Sequence, residues 1–397
     1  MTARDLGKTR RAKPRVLIAA GGTGGHVAPA LAVGAALVEL GAEVRYLSGN
    51  RRAELQTYSS EKVKPEILDL EAAPRLSFTS IKDWRKLWKA IGACKSLFAD
   101  WQPTVLLAMG GYVCVPAIMA AKRAKVPYFL HESNAIPGRV TRKYAEGAAN
   151  VFLGMEGAAG HLSAKALTQV TGTPIRPSLL HRDRALACQE LEFDPAKPTL
   201  LVVGGSQGAL KLNDNFAQAI PYISRAFKQD GAYQILWATG PTHLLEMQRM
   251  TREDVMDARV TLKIMGYIED MASAYAAADV IVSRAGASTL AETTTLGKAM
   301  ILVPYPHAKD DHQLENARFL AARGAAQVIE ERSLRPKAFA EEILELLTGD
   351  ERRAAMAQAA SELGQQKAAE LIAESLLSFC HTDATVPAKP PTGAPES

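Results

Sequence analysis

Residues 15–31 read RVLIAAGGTGGHVAPAL. The first six form an apolar run of the kind that a strand buried on both faces requires. Four glycines and Thr23 follow, where a strand would hand over to a helix, and a helical pattern covers 28–40. In an open parallel sheet, ligands lie beyond the carboxyl ends of the strands, which is where this turn would sit. Glycine lets backbone N–H groups approach a ligand closely. The next helix adds unpaired N–H groups and the positive end of its dipole, so a phosphate is the natural guest. His26 stands directly behind this turn, a titratable ring at the edge of an anion cradle.

Spacing excludes two common phosphate motifs. A G-x-G-x-x-G fingerprint could use Gly22 and Gly24 but then needs glycine where Val27 stands. A P-loop needs Gly-Lys-Ser/Thr, and neither this turn nor the later GGSQG (204–208) supplies it. A tight turn without a ligand stays open as the alternative for both stretches.

Outward from the turn, apolar runs at 15–20, 43–48, 104–109, 126–131, 150–153, 199–203, 233–238, 260–264, 279–283 and 299–303 read as strands. Amphipathic stretches at 28–40, 80–99, 211–228, 287–296, 312–323 and 335–348 read as helices. This alternation predicts α/β architecture with parallel sheets covered on both faces. The chain also repeats itself. VLIAAGGTGGH (16–26) is echoed by LLVVGGSQGAL (200–210), VLLAMGGY (105–112) by VIVSRAGAS (280–288), and VPYFLHESN (126–134) by AMILVPYPH (299–307). The three echoes predict two doubly wound, Rossmann-like domains facing a deep cleft, with a ligand-binding turn on each wall. A basic extension covers 1–14, the first domain 15–176 and the second 177–375, joined near GTPIRPS (172–178). Residues 382–397 are proline-rich without apolar periodicity and read as a disordered tail.

At 397 residues the chain can bury two cores. Its four cysteines lie far apart and suggest neither a zinc site nor a disulfide framework, which implies a reducing compartment. No signal peptide or spanning helix is expected, so the protein should be cytoplasmic. The net charge of +5 is unevenly shared: residues 1–180 carry 25 basic and 13 acidic side chains, and residues 181–397 carry 22 and 29. The basic half is suited to a polyanion or an anionic membrane surface; nucleic acid is not expected. Within it, Ile81, Trp84, Trp88 and Ile91 fall on one helical face, flanked by Lys82, Arg85, Lys86 and Lys89. Indoles favour the membrane interface and lysines favour anionic head groups. Packing of that face into the first domain is the alternative.

Eight stretches in one order, GGTGGHVAPALAV, GGY (110–112), HESN (131–134), GTPIR (172–176), GGSQGA, YIEDM (267–271), RAGASTLAE (284–292) and PYPHAKDDHQLENA (304–317), resemble the MurG family of bacterial transferases, within glycosyltransferase family 28. The resemblance spans about residues 15–375. It implies the two-domain GT-B fold, with the acceptor mainly in the first domain, the donor mainly in the second, and a last helix that crosses back. It implies an inverting enzyme that moves N-acetylglucosamine from its UDP donor (UDP-GlcNAc) to lipid I, giving lipid II for peptidoglycan and so serving cell shape and division. Peripheral attachment to the cytoplasmic face of the inner membrane, within a cell-wall synthesis complex, is the implied setting.

The same resemblance implies donor contacts from Thr23, Gly24, Gly25, Asn134, Arg176 and Ser206, and from Ile268 against uracil through its backbone. It further implies contacts from Ala287, Ser288, Thr289, Leu290, Ala291 and Glu292, with Glu292 on the ribose hydroxyls, and from Gln313 on the hexose. Gly110, Gly111 and Tyr112 would line the acceptor's pyrophosphate. HESN and GTPIR stand where HEQN and GNPVR are commoner in the family, and Thr293 to Thr295 where alanines are usual. No Asp-x-Asp pair lies near a strand end, Asp310 and Asp311 being adjacent. No tightly bound cofactor or metal is therefore expected, and a divalent cation would enter only as a stimulant. His26 is the expected general base, its imidazole having an unperturbed pKa of about 6.5. Glu132 is the reserve, and a purely structural histidine is the alternative. A soluble acceptor, a nucleotide-sugar epimerase and a non-catalytic nucleotide-binding module are the competing functions.

Overall fold

The apolar runs fold into parallel strands of two separate sheets. The computed structural model describes residues 13–22, 24–70, 81–205, 207–226, 233–251 and 260–381. The basic extension over 1–12, most of the stretch ahead of the tryptophan helix and the proline-rich tail therefore lie outside the described residues.

The first sheet holds β1 (Arg15–Ala20), β2 (Glu43–Ser48), β3 (Glu66–Ile67), β4 (Val105–Gly110), β5 (Tyr128–Glu132), β6 (Asn150–Leu153) and β7 (Thr168–Val170). Its order is β3-β2-β1-β4-β5-β6-β7. The helices of this lobe are α1 (Gly24–Glu39), α2 (Arg52–Ser60), α3 (Ile81–Trp101), α4 (Cys114–Ala124) and α5 (Arg139–Tyr144). After α6 (Arg184–Glu190), the second sheet holds β8 (Thr199–Val203), β9 (Tyr233–Ala238), β10 (Val260–Met265), β11 (Val280–Ser283), β12 (Ala299–Leu302) and β13 (Gln327–Val328). Its order is β10-β9-β8-β11-β12-β13. Its helices are α7 (Leu210–Ala226), α8 (Leu244–Thr251), α9 (Met271–Ala277), α10 (Ala287–Thr295), α11 (His312–Ala321), α12 (Pro336–Thr348) and α13 (Asp350–Leu363), and the chain continues into α14 (Ala368–His381).

The two orders superimpose: β1, β4 and β5 occupy the places of β8, β11 and β12. These are the strands of the three sequence echoes, so the repeat marks a shared sheet plan. The period of two along β1 explains its double burial. Val16, Ile18 and Ala20 pack against α1 on one face, and Leu17 and Ala19 pack in the cluster of α3 and α4 on the other. In the second lobe Leu200 and Val202 pack against α7 and α12, while Leu201 and Val203 face the cluster of α9 and α10. The ten expected strands all form. The short edge strands β3, β7 and β13 lack an apolar run and give no such signal in the sequence.

The chain leaves the first sheet after β7 and crosses through Pro177–Leu179. It returns at its end: Ile372, Ala373 and Leu376 of α14 are wholly buried in one cluster with Val27 and Val33 of α1. On α3 the expected apolar face is split. Leu87, Ile91, Cys94 and Phe98 enter the core, whereas Trp84 is 42% and Trp88 64% exposed. The core stripe is rotated away from the tryptophans, which share the outer surface with Arg85, Lys86 and Lys89. No helix among the described residues is long and apolar enough to cross a membrane.

Candidate active site

The first glycine turn is locked to the turn after β4. Gly21 N–H donates to the Gly110 carbonyl at 3.2 Å. Gly111 has φ +83°, and a Cβ there would lie 2.1 Å from the Gly21 oxygen, so only glycine fits. The GGY glycines are thus explained by two backbones in contact. Gly110 backs the His26 ring: a Cβ on Gly110 would meet Cδ2 at 2.6 Å. His26 Nδ1 lies 2.8 Å from the Gly21 carbonyl oxygen. A carbonyl only accepts, so Nδ1 carries the hydrogen, and in the neutral ring Nε2 keeps its lone pair. The turn itself is gripped by α2: Gly22 N–H donates to Glu54 Oε1 at 2.5 Å, and Arg51 Nη1 donates to the Gly22 carbonyl at 2.9 Å. Thr23 lies outside the described residues, and Gly24 and Gly25 open α1.

Across the cleft, α10 begins behind Gly286, which gives it no side-chain cap. Its first N–H groups are therefore available to a ligand. Gly25 and His26 of one lobe and Ala287, Ser288 and Thr289 of the other line a cleft of about 530 Å³, with Asn134 and Gln313 at its sides. Gln313 Oε1 accepts from Tyr305 N–H at 3.0 Å, which leaves its amide hydrogens for the cleft.

Among the described residues, side chains bridge the lobes beside this space at three places. Pro29 has no N–H, so the Gly25 carbonyl lacks its helical partner, and Ser288 Oγ donates to it instead at 3.0 Å. Asn316 is wholly buried. Its Oδ1 accepts from Ala135 N–H at 2.8 Å, and its Nδ2 donates to Asn134 Oδ1 at 3.1 Å and to the Ala285 carbonyl at 3.2 Å. Arg142 meets Asp310 at 3.3 Å on the rim. Asn316 lies within one of the ordered motifs, but a lone Asn on an amphipathic helix reads as surface, so the sequence alone does not single it out.

Glu132 is placed differently from the reserve base the sequence suggested. It is 5% exposed, and each oxygen already accepts two hydrogen bonds. Oε1 takes Asn134 N–H and Nδ2, and Oε2 takes Gly138 N–H and the Thr141 hydroxyl. Those bonds shape the loop that carries Asn134.

Of residues 287–292, only the first three line the cleft. Leu290 is 1% exposed in the core, and Leu290 and Ala291 border a separate small cavity. Glu292 lies beside Tyr275, whose hydroxyl donates to its Oε2 at 2.8 Å. Burial pushes the Glu292 carboxyl above its usual range, while the Tyr275 bond and the Arg176 charge pull it back. Arg176 Nε is buried with no hydrogen-bond partner among the described residues, an orphan donor near Glu292. Ile268 is 4% exposed, its side chain packed in the core of the second lobe. Ser206 lies outside the described residues. Around it, Gly208 passes so near Thr239 that a Cβ would sit 2.0 Å from that carbonyl.

The family models for the glycosyltransferase family 28 N-terminal and C-terminal domains match residues 16–153 and 199–374. A protein of Desulforamulus reducens is 34% identical over 365 residues, 89% of this chain and 95% of its own. One of Acetivibrio thermocellus is 32% identical over 363 residues, 91% of this chain and 96% of its own. Both bear the name UDP-N-acetylglucosamine–N-acetylmuramyl-(pentapeptide) pyrophosphoryl-undecaprenol N-acetylglucosamine transferase. The crystal structure of Acinetobacter baumannii MurG is similar with a TM-score of 0.73 and 27% identity, over 92% of this chain and all of that one. A UDP-GlcNAc 2-epimerase from Neisseria meningitidis, bound to UDP-GlcNAc, shares the fold at a TM-score of 0.66 and 15% identity, over 92% of this chain and all of that one. Two glycine-turn lobes of one plan, a histidine facing an uncapped helix end, and relatives matched over nine-tenths of the chain agree: the chain belongs to glycosyltransferase family 28.

Proposed function

We propose that this protein moves N-acetylglucosamine from UDP-GlcNAc to the 4-hydroxyl of the N-acetylmuramyl group of undecaprenyl-pyrophosphoryl-MurNAc-pentapeptide. The observation that carries the reading is His26, its Nε2 lone pair free, opposite the uncapped N-terminus of α10 across the cleft. His26 Nε2 takes the proton of the acceptor hydroxyl as its oxygen attacks the anomeric carbon. The bond from that carbon to the diphosphate breaks, and UDP leaves with the electron pair. One displacement inverts the centre and gives the β-1,4 linkage.

Negative charge grows on the leaving diphosphate, where the α10 amides and helix dipole offer fixed positive potential; stabilisation of this kind commonly contributes more to catalysis than any other single effect. The reading needs no resident metal, with a divalent cation only a stimulant. Asn134 and Gln313 hold the hexose, Glu292 the ribose, and the Ile268 backbone the uracil, as the family resemblance implies. By the same resemblance, Ser206 meets the phosphate and Arg176 contacts the donor. Gly110, Gly111 and Tyr112 border the acceptor's pyrophosphate.

The lipid-linked acceptor places the enzyme at the cytoplasmic face of the inner membrane. Exposed Trp84 and Trp88 beside Arg85, Lys86 and Lys89 support docking there. The test is product analysis with UDP-GlcNAc labelled in the sugar and a lipid-linked acceptor. A labelled disaccharide-lipid is expected; epimerised free sugar, or label left on UDP, would reject the reading.

A further inference from the structure

We infer that Glu54 is a positioning residue for His26, acting through the single peptide unit between Gly21 and Gly22; this rests on the reading of His26 as the base. The N–H of that peptide, on Gly22, donates to Glu54 Oε1 at 2.5 Å. Its carbonyl, on Gly21, accepts from His26 Nδ1 at 2.8 Å. One amide thus stands between a carboxylate and an imidazole, bonded to both.

A carboxylate drawing on an amide N–H enriches the amide oxygen, and bonds in such a chain strengthen one another. The enriched oxygen holds the hydrogen on Nδ1 and keeps Nε2 as the acceptor. It also stabilises the imidazolium that forms once Nε2 has taken the hydroxyl proton. A buried aspartate does the same by direct contact in the serine-protease triad. Glu54 is 1% exposed, a costly place for a carboxylate unless its lone pairs are used. They are: Oε1 takes the turn, and Oε2 takes the Ser48 hydroxyl at 3.3 Å. The same carboxylate packs against the turn closely enough that a Cβ on Gly21 would lie 3.1 Å from Oε2.

Among the described residues, the other titratable or charged groups around these bonds are Tyr46 on β2, Arg51 ahead of α2, Tyr58 on α2, Cys114 on α4, and His131 and Glu132 on β5. Burial pushes the Tyr58 hydroxyl up, pushes the Cys114 thiol up to about 12, and lowers His131 to about 4. These three are uncharged near neutral pH and do not mask the loss of the Glu54 charge.

Glu54→Gln keeps the shape and the acceptor for Gly22 N–H and removes the charge. Transfer rates against pH and the donor dissociation constant are measured in wild type, Glu54→Gln, His26→Ala and the double variant, and the ¹⁵N titration of the His26 ring in wild type, Glu54→Gln and Glu54→Asp. In Glu54→Gln, kcat falls about tenfold, and the acidic limb and the ring titration move down by about half a pH unit. Donor affinity is unchanged, and the substitution costs nothing further once His26 is alanine. Glu54→Asp, which keeps the charge, leaves the ring titration near that of wild type. An unmoved titration in Glu54→Gln, or an equal move in Glu54→Asp, overturns the relay whether or not His26 is the base. Full turnover by His26→Ala with a shifted ring titration in Glu54→Gln upholds the relay and removes the base.

Discussion

The Ser288 hydroxyl donates to the carbonyl of Gly25 at 3.0 Å, tying the first turn of α10 to the first turn of α1 across the cleft. The contact exists because Pro29 leaves that carbonyl without a helical partner. It brings two helix N-termini, each the positive end of a dipole, toward one space. Such an arrangement favours an anion between them, and donor and acceptor each bring a diphosphate.

Asn316 ties the same lobes at a second point. Asn316→Ala strands the Ala135 N–H, the Ala285 carbonyl and Asn134 Oδ1, so the loss of stability is on the order of 3 kcal/mol. Denaturant unfolding reads this directly. Because Asn134 loses its anchor, the KM for the donor also rises, and an unchanged KM would separate Asn134 from the hexose.

Gly110→Ala places a methyl group 2.6 Å from His26 Cδ2 and displaces the ring. The kcat drops by about a hundredfold, within the span of general-base effects. Donor binding, measured by calorimetry, stays near that of wild type, since the α10 side of the cleft is untouched. Retained kcat would count against His26.

The architecture was legible because both lobes are buried parallel sheets, in which strands must be continuous apolar runs. Ten such runs, from β1 at Arg15–Ala20 to β12 at Ala299–Leu302, announce themselves. The edge strands β3 and β13, two residues each, carry too little sequence to do so. The cleft residues His26, Asn134, Ala287 to Thr289 and Gln313 were legible through glycine turns and ordered motifs. Glu54 and Asn316 were not. Each is one polar residue on a helix, where a solvated side chain and a buried one look alike until the partner, 32 residues away for Gly22 and 182 for Asn134, is brought beside it. The face of α3 departs from expectation for a related reason: Trp88 and Ile91 are close in helical angle, and only packing decides which enters the core.

His131 gives the fold a defined acid sensitivity. It is 2% exposed, and burial lowers its pKa from 6.5 to about 4. The unfolded chain binds this proton below about pH 6.5, and the folded chain resists until about 4, so stability falls as pH drops through that window. The loss is on the order of 3 kcal/mol, and His131→Asn flattens the same span. Thermal unfolding at pH 7 and at pH 4.5 checks both proteins; equal slopes would assign the acid limb to other groups.

Vesicles containing anionic lipid bind the protein, and raised salt weakens the binding. Trp88→Ala and Lys89→Glu each reduce it severalfold in co-sedimentation, while transfer to a detergent-dispersed acceptor is retained. Binding indifferent to lipid charge and salt would assign the exposed tryptophans another partner.

A crystal structure with UDP-GlcNAc bound is the most direct measurement. The diphosphate should lie within hydrogen-bond reach of the amides of Ala287 to Thr289, the hexose between Asn134 and Gln313, and His26 Nε2 toward the open side of the anomeric carbon. A donor seated outside this cleft, or an anomeric carbon turned away from His26, would contradict it.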